Sequence, residues 1–217
     1  MKDTDNISGY QFHNDKPLHS HSYLMPVIAE ELKLHFENFP EKEKSVFDLG
    51  CGNGVTAQFL AEKGYGVTGV DPSVEGISRA NANFPNLKLE SGSAYDDLYT
   101  RFNDFPAVIS LEVVEHVYDP RTYIKTLYSL VEPGGIGVIS TPYHGYTKNL
   151  FIALTGKFDQ HVSPLWDHGH IKFWSINTLS QLVTEAGFEV LRFHRVGRSI
   201  PALAKSMVVA VKKPPVN

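Results

Sequence analysis

The glycine-rich run 50–54, Gly-Cys-Gly-Asn-Gly, constrains the fold more than any other part of the sequence. It follows an apolar stretch at 45–49 that predicts a strand, and it leads into a helical pattern over 53–62. A second strand, predicted over 66–70, ends at Asp71. Because glycine lets the backbone approach a ligand where a side chain would clash, this order predicts a nucleotide-binding βαβ unit.

The alternation of strands and helices continues along the rest of the chain. Repeated units of this length predict an α/β fold, a Rossmann-like, doubly wound sheet with helices on both faces. We expect a mostly parallel, seven-stranded sheet in which the final strand is antiparallel. Beyond the first unit, helices are predicted over 22–38, 73–82, 120–131 and 175–186, strands over 87–90, 107–110, 136–141, 188–193 and 207–211, a polar loop over 91–105, and a turn over 132–135.

The length of the chain predicts a single domain over 1–217, with a flexible N-terminal segment over 1–21. The segment 142–172 is rich in Tyr, His, Phe and Trp and is long for a plain loop, so it predicts a lid or a substrate-binding insertion. Within it, the apolar side chains of 150–154 fit either a lid over the substrate or a shallow contact with a membrane surface.

Composition indicates which kinds of partner and which cellular compartment to expect. The net charge is −4, whereas proteins that grip nucleic acid through phosphates carry a basic excess, so nucleic acid is not the expected partner. The single cysteine, Cys51, fits a reducing compartment, and the sequence has no pattern typical of a signal peptide or a transmembrane helix. We therefore expect a cytoplasmic protein that binds a small molecule and makes at most a peripheral membrane contact. The oligomeric state is left open.

The spacing of the glycines and a nearby acid indicate which nucleotide is bound. Dinucleotide oxidoreductases usually carry G-x-G-x-x-G, whereas the glycines here are Gly50, Gly52 and Gly54. Asp48 lies two residues before the first of them, where a carboxylate repels a pyrophosphate and attracts a cation. S-adenosylmethionine, which carries a sulfonium and an α-amino group, is a ligand of that kind.

Residues 46–54 together with Asp71 resemble the cofactor motif of the class I (Rossmann-type) S-adenosylmethionine-dependent methyltransferases. The 132–135 turn before a strand and the antiparallel end of the sheet are also similar to that superfamily, and the resemblance covers about 22–212. It implies that the glycine turn contacts the methionine moiety, with Cys51 as a small filler, and that Asp71 holds the ribose. The implied cofactor-binding residues are Asp48, Gly50, Cys51, Gly52, Asp71, Pro72 and Ser73 beside the adenine, Ser93 and Ala94 near its amino group, and Leu111.

The predicted fourth strand leads into an acid–histidine segment. Glu112, Glu115 and His116 are spaced i, i+3 and i+4, which would place them on one face of a helical turn. Two carboxylates and an imidazole arranged in this way can bind a divalent cation such as Mg²⁺, Mn²⁺ or Zn²⁺. In the alternative without a metal, His116 packs under the loop and Glu115 pairs locally.

A narrower resemblance favours the metal. The segment 111–116 resembles the corresponding segment of two families, the ubiquinone-biosynthesis O-methyltransferases and the small-RNA 2′-O-methyltransferases. Of the two, the sequence resembles the ubiquinone-biosynthesis family more. In both families a Glu-x-x-Glu-His group is associated with a divalent ion. The segment 167–175 is similar to the second family, which implies His170 as a fourth ligand and His168 as an alternate.

These features predict transfer of a methyl group from S-adenosylmethionine to a small-molecule acceptor, through a hydroxyl and with the help of a divalent cation. Glu115 and His116 are the expected catalytic residues. Without a metal, a neighbouring His or Glu would act as the base, and His144 is the alternative for that role. Three readings stay open: an RNA 3′-end 2′-O-methyltransferase, an N- or C-methyltransferase without metal, and a non-catalytic cofactor-binding module.

Overall fold

The computed structural model describes residues 19–39, 43–162, 165–166 and 169–215. Within these ranges the strands are β1 Ser45–Leu49, β2 Gly66–Asp71, β3 Lys88–Ser91, β4 Phe105–Leu111, β5 Val131–Pro142, β6 Glu189–Val196 and β7 Ser206–Lys212. They form one sheet in the order β3-β2-β1-β4-β5-β7-β6. Only β7 is antiparallel to its neighbours, β5 and β6, which confirms the predicted Rossmann-like sheet with an antiparallel final strand.

The helices cover both faces of this sheet. They are α1 His21–Asn38, α2 Val55–Ala61, α3 Val74–Asn83, α4 Leu98–Phe102, α5 Pro120–Leu130, α6 Tyr146–Leu154 and α7 Ile176–Glu185, with short 3-10 turns at Phe158–Gln160 and Pro201–Leu203. One apolar core joins the sheet to α1, α2 and α3, and a second joins it to α4, α5 and α7. Along the central strands, side chains alternate between the two cores because successive strand residues point to opposite faces. Val46 packs in the first core and Phe47 in the second.

Two local predictions were wrong. The polar loop expected over 91–105 contains α4, whose first turn is capped by Asp97; the carboxylate accepts a hydrogen bond from the Thr100 N–H (3.2 Å). The turn expected over 132–135 belongs to β5, because its backbone pairs with the residue that follows β7: the Gly134 N–H donates to the carbonyl of Lys213 (2.9 Å). In both places long-range pairing or capping overrides a local turn signal.

The start of the chain and the expected insertion are described only in part. α1 begins at His21, and residues 1–18 of the expected flexible segment lie outside the described residues, as does His168. The expected insertion 142–172 contains α6, whose outer side chains are exposed. No described helix is long and apolar enough to cross a membrane.

Candidate active site

A cavity of about 610 Å³ opens at the carboxyl ends of β1, β2 and β4. The strand order reverses at this point: β2 lies on one side of β1 and β4 lies on the other side. Ligands of open α/β sheets bind at such a switch point. Of the residues predicted to bind the cofactor, those that line the cavity are Asp48, Gly50, Cys51, Gly52, Asp71, Pro72, Ser93, Ala94 and Leu111.

The glycine turn joins β1 to α2 in a conformation that side chains rarely adopt. Gly50, Gly52 and Gly54 have φ values of 92°, 55° and 81°. A β-carbon at position 50 would overlap Cγ2 of Val113, and one at position 54 would lie 2.9 Å from Cδ1 of Leu89. The turn therefore needs glycine for conformation and for close packing.

Cys51 lies inside this turn and is buried. Burial raises the pKa of its thiol well above the ordinary value, an effect that the nearby charges of Asp48 and Asp71 increase. A thiol in this environment stays neutral and is a poor nucleophile. Its place in the wall of the cavity fits the expected role of a small filler.

The carboxylate of Asp71 ties the end of β2 to the glycine turn. It accepts hydrogen bonds from the Gly52 N–H (3.0 Å) and the Ser73 N–H (2.8 Å). Burial raises the pKa of Asp71 to about 6, and these two hydrogen bonds limit the rise. A carboxylate has about four lone-pair sites, so Asp71 can still accept hydrogen bonds from a ligand in the cavity.

Asp48 is a buried acid with one oxygen that no described residue satisfies, in the part of the cavity next to the glycine turn. It is 1% exposed, lines the cavity from β1, and its Oδ2 has no hydrogen-bond partner among the described residues. Burial, followed by the charge of Asp71, raises the pKa of Asp48 to about 8. A buried acid with an unpaired oxygen is costly and is stabilised by a cationic ligand. Because S-adenosylmethionine is positively charged, it fits a cavity that is lined by this acid.

The residues expected around the adenine differ in their roles. Ser93 is held by its own loop: its N–H donates to Oδ2 of Asp96 (2.8 Å), and its hydroxyl accepts from the Tyr95 N–H (3.2 Å). Ser73 is fully buried, caps α3 by accepting a hydrogen bond from the Gly76 N–H (3.1 Å), and does not line the cavity. The hydroxyl of Ser73 thus stabilises the start of α3 and does not face the cavity.

Glu112 departs from the predicted helical turn. It follows β4 with φ 56°, in the left-handed region, and its carboxylate is not in the group of ligand atoms formed by Glu115, His116 and His170. Its charge nevertheless adds to the effect of burial in raising the pKa of Glu115. Its carboxylate lines the cavity and accepts a hydrogen bond from the hydroxyl of Ser140 (2.8 Å). Burial raises the pKa of Glu112 to about 7, and the hydroxyls of Ser140 and Ser206 and the charge of Lys148 limit the rise.

Glu115, His116 and His170 bring their ligand atoms within 4.8 Å of one another. Glu115 is fully buried, and neither of its carboxylate oxygens has a hydrogen-bond partner in the described part of the chain. Burial, together with the charges of His116 and His144, lowers the pKa of His170 to about 4. An unpaired buried carboxylate beside neutral imidazole is a donor set that fits a divalent cation.

Main-chain hydrogen bonds hold the distant histidine against the acid–histidine segment. The carbonyl of Glu115 accepts from the N–H groups of Ile171 (2.9 Å) and Lys172 (3.0 Å). The indole of Trp174 donates to the carbonyl of Val114 (3.1 Å). These bonds place His170 beside His116, with ring centroids 4.8 Å apart.

His144 does not line the cavity. Its Nδ1 lies 3.2 Å from Oδ1 of Asn149, and its ring packs edge-on against Phe173. Burial lowers the pKa of His144, so it is neutral at pH 7. When His144 is protonated, its charge reaches His170 in the cavity wall; its role as a base stays a prediction.

Sequence patterns did not identify two walls of the cavity. The first turn of α1 contributes Ser20, His21 and Leu24, although α1 precedes the nucleotide-binding unit in the chain. Trp166 and Tyr118 contribute aromatic surface near the histidines. The aromatic content of 142–172 was the only signal for Trp166, and no spacing rule points to α1.

Comparisons with known proteins agree with this geometry. A family model described as a methyltransferase domain matches residues 21–192. The ubiquinone biosynthesis O-methyltransferase of Pseudomonas aeruginosa is 32% identical over 157 residues, which are 68% of this chain and 65% of that protein. The same enzyme of Rickettsia typhi is 28% identical over 165 residues, or 75% of this chain and 66% of that protein. The matched part thus spans less than two thirds of these relatives.

A solved structure extends the comparison to the fold. The crystal structure of an S-adenosylmethionine-dependent methyltransferase from Methanosarcina mazei superposes with a TM-score of 0.60. It is 21% identical, and the superposition covers 79% of this chain and 93% of that one. A likeness at this level of identity concerns the fold.

Proposed function

Because the chain belongs to the methyltransferase-domain family, we propose that it transfers the methyl group of S-adenosylmethionine to a hydroxyl group of a small molecule, assisted by a divalent cation. The observation that carries this proposal is the buried carboxylate of Asp48, which lies near Asp71 in the wall of the cavity and whose Oδ2 has no hydrogen-bond partner within the described ranges. Two buried acids are stabilised when a positively charged ligand lies against them.

Different groups of the protein bind different parts of the methyl donor. Asp48 attracts its positively charged end, and Asp71 offers lone pairs to the ribose hydroxyls. The backbone of the glycine turn allows close approach, and Pro72 and Ala94 contribute to the wall beyond Asp71. When bound, S-adenosylmethionine supplies a methyl group on a positively charged sulfur.

Glu115, His116 and His170 are the residues that would hold a divalent cation. Bound there, a cation would lower the pKa of an acceptor hydroxyl. Imidazole ligands suit Zn²⁺ and other transition metals, carboxylates suit Mn²⁺, and Mg²⁺ is usually held through oxygen atoms. A set of two imidazoles and one carboxylate therefore favours Mn²⁺ or Zn²⁺ over Mg²⁺.

An aromatic wall beside this group suits an aromatic acceptor. The Trp166 ring lies 5.8 Å from the His116 ring and 5.4 Å from the His170 ring, and all three side chains line the cavity. Aromatic pairs at such distances are favourable beyond their buried area. A catechol could place its ring against Trp166 and its adjacent hydroxyls toward the histidines. The relatives described above are O-methyltransferases of ubiquinone biosynthesis, which supports a hydroxyl acceptor.

The test is a methyl-transfer assay with radiolabelled S-adenosylmethionine and separate panels of catechols, sugars, amines and single-stranded RNA, each with Mn²⁺ or with a chelator. We expect labelled catechol ether with Mn²⁺ and none with chelator. Labelled RNA alone would favour the RNA reading, and an N- or C-methylated product indifferent to chelator would favour the metal-free reading. Cofactor binding without product in any panel would point to a binding module.

A further inference from the structure

Tyr95 joins two segments of the chain that follow different strands. It lies in the loop after β3, and its hydroxyl accepts a hydrogen bond from the Asp119 N–H (3.1 Å), which belongs to the segment between β4 and α5. In the sheet, β2 and β1 lie between β3 and β4, so β3 and β4 are three strand spacings, or about 14 Å, apart. The hydrogen bond therefore bridges the two sides of the crevice at the carboxyl ends of β1 and β2.

Hydrogen bonds hold both ends of this bridge. In the loop after β3, the Gly92 N–H donates to the carbonyl of Asp71 (3.1 Å), which ties the loop to the end of β2. On the other side of the crevice, Asp119 caps α5, and its carboxylate accepts a hydrogen bond from the Arg121 N–H (3.1 Å). The position of the Tyr95 side chain is thus set from both sides before any ligand binds.

Tyr95 belongs to the part of the cavity in which the proposed function places the nucleoside of the donor. It lines the cavity together with Asp71, Pro72 and Ala94, and it is 44% exposed. Because Asp71 offers its lone pairs to the ribose, the adenine must lie in the same part of the cavity. An aromatic side chain in the wall beside a planar base is suited to stack on it.

We propose that the ring of Tyr95 binds the nucleoside of S-adenosylmethionine, and that the hydrogen bond with Asp119 is a strap that holds this ring over the ligand. The inference rests on the proposed function and adds a donor-binding residue that lies outside the glycine motif and its acids. Because the strap spans the crevice, it also slows the departure of the product S-adenosylhomocysteine, which carries the same nucleoside.

The experiment compares Tyr95→Ala with Tyr99→Ala. Tyr99 is a matched control because it is 47% exposed, lies on α4 and does not line the cavity. Calorimetry measures the affinities for S-adenosylhomocysteine and for 5′-deoxy-5′-methylthioadenosine, which keeps the nucleoside and lacks the amino-acid end. Tyr95→Ala should weaken both ligands by a similar factor of about tenfold or more, since both contain the nucleoside. Tyr99→Ala should leave both affinities within about twofold of wild type.

Tyr95→Phe separates the strap from the ring. It keeps the ring and removes the acceptor of the Asp119 N–H, so S-adenosylhomocysteine should dissociate about threefold to tenfold faster in a stopped-flow experiment. Its affinity should fall by less than in Tyr95→Ala.

The outcomes distinguish this inference from the proposed function. An unchanged affinity in Tyr95→Ala, or a loss for S-adenosylhomocysteine without one for 5′-deoxy-5′-methylthioadenosine, would overturn the inference alone. If thermal melting shows that Tyr95→Ala does not fold, Tyr95→Phe decides, and a dissociation rate equal to that of wild type overturns the strap. Absence of S-adenosylhomocysteine binding by the wild-type protein would overturn the proposed function and this inference with it.

Discussion

The substitution Asp48→Asn is predicted to stabilise the ligand-free protein at neutral pH. The pKa of Asp48 is raised from 3.8 to about 8 by burial and then by Asp71. Between these values the folded state keeps a proton that the unfolded chain has released, so stability falls as pH rises, by at most about 1.4 kcal/mol per pH unit. Asparagine has no such penalty.

The size of the stabilisation follows from the difference between pH 7 and the pKa of this aspartate in the unfolded chain. About three pH units give a ceiling of about 4 kcal/mol, and relaxation around the buried group reduces it to about 2 kcal/mol. In a chain of this size each kcal/mol corresponds to about 2–4 °C in Tm, so Asp48→Asn should melt about 4–8 °C higher at pH 7. The same change should weaken binding of S-adenosylmethionine at least about tenfold, since the carboxylate that attracts its charge is gone.

The assay is denaturation of the ligand-free wild type, Asp48→Asn and Asp159→Asn at pH 5 and pH 8, with calorimetry of cofactor binding. Asp159 is exposed, so its variant repeats the change in charge without the buried site. The advantage of Asp48→Asn over wild type should grow between pH 5 and pH 8, and Asp159→Asn should show no such trend. An Asp48→Asn protein no more stable than wild type at pH 8, with unchanged cofactor affinity, would refute the reasoning.

Three further predictions concern other parts of the molecule. Asp71→Ala removes the hydrogen bonds from the Gly52 N–H and the Ser73 N–H and should weaken S-adenosylmethionine binding at least about tenfold by calorimetry; unchanged affinity would remove the ribose assignment. His170→Ala should weaken Mn²⁺ binding at least about tenfold by electron paramagnetic resonance, and equal binding would exclude it as a ligand. Buried Glu31 accepts hydrogen bonds from Arg192 (2.9 and 2.7 Å) and is paired with His194 (2.7 Å), which lower its pKa although burial opposes this. The free energy of unfolding of Glu31→Gln, measured with urea at pH 7, should therefore be about 1–3 kcal/mol lower than that of wild type. The difference should shrink as the pH falls below the ordinary pKa range of a glutamate, and a pH-independent loss would contradict the ion pair.

The cofactor half of the site follows closely from sequence because its geometry is local. A strand, a turn that only glycine can make, and an acid at the end of the next strand fix one another within residues 45–71. The pairing of β1 with β2 then brings Asp71 beside Gly52 without help from the rest of the chain. Short-range rules of spacing and conformation are sufficient for such a unit.

The acceptor half was less predictable because long-range contacts decide it. Glu112 has a left-handed backbone that Ser140, a residue of another strand, supports, so helical spacing failed there. His170 reaches His116 only because the carbonyl of Glu115 binds the backbone that follows it. The entry of α1 into the cavity wall depends on packing of its apolar face on the sheet, which no motif encodes.

The most direct test of the account is the initial rate of methyl transfer from S-adenosylmethionine to a catechol, measured on chelator-treated protein before and after addition of Mn²⁺. The account predicts no product without the metal, an O-methylated catechol when Mn²⁺ is restored, and no restoration in His170→Ala. A rate that is the same with chelator and with Mn²⁺ would contradict the proposed role of Glu115, His116 and His170.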